Sequence, residues 1–67
     1  MKTSTITNAG IVRVGSYIRI VQLDDPYDSS YAGRSGFITS IDDMNQLHGT
    51  WGGLAIQPEN DTIEIID

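Results

Sequence analysis

The stretch L23-D-D-P-Y-D-S-S-Y-A-G-R-S-G-F-I-T-S-I-D-D43 decides how this chain is read. It leaves an apolar strand, crosses an acidic loop bearing Tyr27 and Tyr31, turns through Gly33-Arg34-Ser35-Gly36 and enters a second apolar strand. Pro26 has no N–H for a ladder and biases Asp25 away from helix, so the first strand must end by Asp24 or Asp25. The glycines supply the backbone freedom that a sharp return needs. That order is what a very small, strongly bent β-barrel requires.

Working outward, Tyr17–Leu23 alternates, with Ile18 and Ile20 on one face and Tyr17, Arg19 and Val21 on the other. Before it, Ile11, Val12 and Val14 form at most a short edge strand, and residues 1–10 are expected to be a flexible arm. After it, Phe37–Ile41 is a strand, Asp42-Asp43-Met44-Asn45 a turn, and Gln46–Trp51 the returning strand. Gly52-Gly53 is expected to be the next tight turn, followed by strands at Leu54–Gln57 and Thr62–Ile66. No apolar spacing of helical period extends over eleven residues. The expectation is an all-β domain over residues 11–67, a small barrel of about five short antiparallel strands. Its predicted core is Ile18, Ile20, Leu23, Ile38, Ile41, Leu47, Leu54, Ile56, Ile63 and Ile65. Isoleucine suits that role, because branching at Cβ packs well on a pleated surface.

The motifs in this stretch resemble a small SH3-like β-barrel family of unknown function met in phage and bacterial genomes. The resemblance rests on Asp25-Pro26-Tyr27, on Gly33-Arg34-Ser35-Gly36-Phe37-Ile38, and on Ile41-Asp42-Asp43. It continues through Trp51, Leu54-Ala55-Ile56 and the closing Asp61–Ile66, and so spans about residues 15–66. The family pattern favours Trp-Asp-Asn-Gly where this chain has Trp51-Gly52-Gly53-Leu54. The resemblance implies a fold and no activity.

Composition narrows the function classes. Sixty-seven residues make one domain, and a chain of this size buries only about 60% of its unfolded surface. With no cysteine and one histidine, His48, it has neither disulfides nor a cysteine or histidine-rich metal site to support it, which suits a cytoplasmic setting and leaves homodimerisation as added support. The net charge of −5 repels phosphates, and Lys2, Arg13, Arg19 and Arg34 form no basic run, so nucleic acid is a disfavoured partner. No apolar run approaches the length of about 20 residues that a membrane span needs, and MKTSTITNAG lacks the apolar segment of a signal peptide.

The carboxylate pairs Asp24-Asp25 and Asp42-Asp43 fall in solvated loops, and His48 has no thiol or paired nucleophile nearby in sequence. No catalytic residue and no cofactor is therefore expected. Asp24, Asp25 and Asp28 lack the alternating ligand spacing and closing Glu of a calcium loop. The remaining signal is aromatic. Tyr27, Tyr31 and Trp51 are expected to form one exposed face rimmed by Asp24, Asp25 and Asp28, with Gly33 and Gly36 as structural turn residues. Aromatic rings give contact area at low entropic cost, and carboxylates select a cation. SH3 peptide-binding domains use a comparable acidic loop and aromatic cluster to hold proline-rich, basic segments.

The leading expectation is thus a protein-binding module, an accessory or inhibitory factor of a phage or other mobile element. The alternatives are an RNA- or ribosome-associated barrel and a homodimeric structural β module. Should Trp51 be core, the face around Phe37 and Arg19 becomes the better candidate.

Overall fold

The computed structural model describes residues 2–24 and 30–66. Seven strands run in the order β1 (Ser4–Thr7), β2 (Gly10–Arg13), β3 (Tyr17–Gln22), β4 (Ser35–Ile41), β5 (Leu47–Gly49), β6 (Gly52–Ile56) and β7 (Thr62–Ile65). Strands β3 to β6 form an antiparallel meander, and β7 returns to lie beside β3, giving the sheet order β6-β5-β4-β3-β7. Strands β1 and β2 pair as a separate hairpin. The domain is all-β and barrel-like, as the alternation predicts.

Three register shifts, in the β3–β7, β4–β5 and β5–β6 ladders, supply the curvature. A bulge bends its strand and increases local twist, which lets a short sheet wrap round a single core. Along β3, Ile18 and Ile20 point inward while Arg19 and Val21 face solvent; along β4, Gly36 and Ile38 point inward while Ser35, Phe37 and Thr39 do not. Ile18, Ile20, Ile38, Ile41, Leu47, Ile56 and Ile63 are buried together with Val12 and Trp51, and Leu23, Leu54 and Ile65 pack at the margin. Each such aliphatic side chain, fully buried, stabilises the fold by about 1.5–3 kcal/mol.

Two expectations are corrected. Residues 2–10, expected to belong to a flexible arm, are not loose, because Ser4–Arg13 is a β-hairpin whose Val12 is fully buried. Its turn is built locally. Thr7 Oγ1 accepts the Ala9 N–H at 3.1 Å and donates to the Gly10 carbonyl at 2.8 Å, and Gly10 takes a φ of 114°. The second correction concerns the β5–β6 turn. It is made by Thr50 and Trp51, while Gly52 and Gly53 already belong to β6.

Candidate binding surface

The β5–β6 turn fixes what the tryptophan does. Trp51 is only 4% exposed and belongs to the core cluster. An added Cβ at Gly49 would collide with the Trp51 ring and with the Phe37 carbonyl, so the bare backbone of Gly49 is the seat of that ring. The indole Nε1–H donates to the Leu54 carbonyl at 2.8 Å, which satisfies the one polar atom that burial would otherwise strand. The exposed Trp51 face expected from the sequence is therefore absent. Glycine does leave space beside the ring, but it is Gly49, and the ring fills that space.

The rest of the expected site divides. Tyr31 is half-buried against the core, with the Arg34 guanidinium 4.5 Å from its ring centroid. Arg34 Nη1 also donates to the Trp51 carbonyl at 3.1 Å, and Gly52 (φ 133°) lies under the Tyr31 ring. Loop residue and turn meet through Arg34 and not through an open aromatic pair. The loop closes as the two glycines require. Gly33 N–H reaches the Ile20 carbonyl at 2.7 Å and Ile20 N–H reaches the Arg34 carbonyl at 2.7 Å. Gly33 takes a φ of 89°, whereas Gly36 is buried where an added Cβ would stand 2.5 Å from Thr50 Oγ1 and 3.0 Å from the Trp51 nitrogen. Asp24 is exposed, and its N–H donates to Asp61 Oδ1 at 2.9 Å. Asp25, Tyr27 and Asp28 lie outside the described residues.

Asp61 is the polar residue that sequence reasoning missed. It is buried, and its second oxygen accepts the Gln57 N–H at 2.8 Å, so one carboxylate ties the β6–β7 turn to the start of the long loop. Its place after Pro58-Glu59-Asn60 marked it only as a turn residue.

The outer face of β7, β3 and β4 carries an aromatic pair, Phe37 exposed and Tyr17 half-buried. Tyr17 and Phe37 are register partners whose rings meet edge to face at a centroid distance of 4.6 Å. Phe37 is 52% exposed. Tyr17 Oη is hydrogen-bonded to Ser35 Oγ at 2.9 Å, and Ile66, itself exposed, donates its N–H to the Tyr17 carbonyl at 2.9 Å. In the next row Arg19 faces Glu64 in register, and the two form an ion pair. The face thus sets an apolar aromatic row against a row of balanced charge.

Across the barrel, Asp42 shapes the β4–β5 turn. Its Oδ1 accepts the N–H groups of Met44 and Gln46, each at 2.9 Å, and its Oδ2 lies 3.0 Å from His48 Nε2. The His48 hydrogen bond, reinforced by the Gln46 and Met44 amides, holds the Asp42 carboxyl below its ordinary range. Ser40, Ile41, Asp43 and this pair line an open depression. The pairing joins residues six apart across a turn, a signal readable once the β4–β5 hairpin is recognised. The pair thus locks the β4–β5 turn.

With this geometry in hand, comparison with known proteins identifies the family. The chain belongs to the family described as a domain of unknown function, DUF4314, whose model matches residues 12–66. No curated protein and no solved structure matches the chain. The matched stretch begins in β2 and takes in all five strands of the main sheet, leaving β1 and the hairpin turn outside it. Among the described residues no helix is long and apolar enough to cross a membrane.

Proposed function

We propose that this domain is a non-catalytic protein-binding module of the SH3-like type, and that it binds through the outer face of β7, β3 and β4. The observation carrying the reading is Phe37, a large ring held half-exposed beside Tyr17 at the centre of a strand face. Interfaces concentrate their energy in such aromatic anchors, and flanking charges tune rate and orientation. The strand order and the long connection from β3 to β4 support the SH3-like plan. The phage and bacterial setting of the family it resembles extends the proposal to an accessory or inhibitory role in a mobile element.

The test is capture from nuclease-treated host lysate by the domain and by Phe37→Ser, with melting curves of both. A protein should be retained by the parent and lost with the variant, at a cost of about 1–3 kcal/mol, which is about five- to 150-fold in affinity. The melting temperature should fall only slightly. Retention indifferent to Phe37→Ser, or abolished by the nuclease alone, would overturn the proposal.

A further inference from the structure

Strand β7 is an edge of the main sheet, and an edge exposes backbone donors and acceptors to any strand that fits. The ladder fixes which groups these are. Ile66 N–H bonds to the Tyr17 carbonyl, while Ile65 faces Ile18 and Ile63 faces Ile20. Hydrogen-bonded and non-bonded pairs alternate in an antiparallel ladder, so the N–H and C=O groups of Ile63 and Ile65 point away from β3.

Those of Ile63 are already taken. Asn8 Oδ1 accepts the Ile63 N–H at 2.9 Å, and Asn8 Nδ2 donates to the Ile63 carbonyl at 3.0 Å. A side-chain amide carries the same donor and acceptor as a peptide unit, so Asn8 occupies the edge as a one-residue strand would. It does so from the β1–β2 turn, outside the stretch that the family model matches.

We infer that the β1–β2 hairpin is an edge guard, and that Asn8 withholds β7 from antiparallel pairing with β7 of a second copy of this chain. A second copy is the occupant because the open positions complement themselves. With a two-fold axis at Glu64, Ile63 of one copy meets Ile65 of the other, which forms four backbone hydrogen bonds in a closed, isologous contact. Each Glu64 is already held by Arg19 of its own chain, so the central row across the contact reads Arg–Glu–Glu–Arg. The pairing is thereby salt-sensitive, with added salt screening the two carboxylates from one another.

Sedimentation velocity across the micromolar to millimolar range tests this on the parent chain, Asn8→Ala and Asn8→Asp. The parent should remain a monomer, and Asn8→Ala should double its mass reversibly with concentration. Hydrogen exchange on that dimer should show the Ile63 and Ile65 amides protected. Asn8→Asp keeps an acceptor for the Ile63 N–H and frees the carbonyl, so it should dimerise more weakly while staying folded. A parent that dimerises with Asn8 intact overturns the inference. So does a folded Asn8→Ala that stays monomeric, or a dimer whose Ile63 and Ile65 amides exchange freely. If Asn8→Ala unfolds, a folded, monomeric Asn8→Asp across the same range overturns it as well.

Discussion

Trp51 and Phe37 are the two largest apolar residues near the β5–β6 turn, and the fold treats them in opposite ways. Phe37 sits mid-strand in β4, where the alternation that buries Gly36 and Ile38 turns its ring outward. Trp51 sits in a turn, where no alternation applies, and its ring folds back over Gly49 into the core. A residue within a strand inherits its side from its neighbours; a residue in a turn goes wherever space and a hydrogen-bond acceptor are offered. For Trp51 these are the bare backbone of Gly49 and the Leu54 carbonyl.

The largest expected effect follows from that contrast. Trp51→Ala should cost about 3–5 kcal/mol, the range for removing a buried ring. A domain of this length has only a few kcal/mol to lose, so urea titration should find the variant mostly unfolded in buffer. A variant that melted like the parent would place the ring at the surface and dissolve the contrast.

Gly36→Ala and Gly33→Ala sharpen it on a smaller scale, since the two glycines are needed for different reasons. At Gly36 the new methyl would press on Thr50 Oγ1 and on the backbone of the Trp51 turn, and overpacking of this kind costs about 1–3 kcal/mol. At Gly33 nothing lies within reach of a Cβ, and the cost is that of a positive φ, about 1 kcal/mol. Paired melts should rank Gly36→Ala below Gly33→Ala, and the reverse order would mean that the β5–β6 turn does not press on β4.

The smallest effect is the acid response of the Asp42 turn. Because Asp42 has its pKa lowered in the fold, its contribution to stability is complete above the ordinary carboxylate range and is lost as pH falls through the depressed value. Asp42→Ala should be less stable than the parent at neutral pH, and the gap should narrow on acidification. A gap constant with pH would mean that the carboxylate is not held by His48 and the turn amides.

Much of this fold was legible in the sequence because period two was unbroken where it mattered. Ile18, Ile20, Ile38 and Ile63 could be assigned to the core from alternation alone, and β3 ends at Gln22, inside the bound of Asp24 or Asp25 that Pro26 sets. The β1–β2 hairpin was not legible. Its residues Ser4–Thr7 have little apolar content, and Ile6, the exception, is 74% exposed beside its register partner Ile11. What holds that hairpin is Val12 in the core and Asn8 on Ile63, a contact between residues 55 apart that no local pattern announces. The candidate surface was half legible. Alternation set Arg19 and Phe37 opposite the core-facing Ile18 and Ile38, whereas the position of Trp51 depended on a turn two residues away from the expected one. Asp61 shows the same limit, since one of its two amide partners, Asp24, reaches it only by the meeting of two loops.

Trp51 is the chain's single tryptophan, so its fluorescence reports directly on the contrast between turn and strand. Emission and iodide quenching measured on the folded domain and on the urea-unfolded chain provide the decisive comparison. A ring seated on Gly49 and bonded to Leu54 predicts emission shifted well to the blue of the unfolded chain and quenching suppressed severalfold. Emission and quenching equal to those of the unfolded chain would contradict it, and would return Trp51 to the surface as a binding residue.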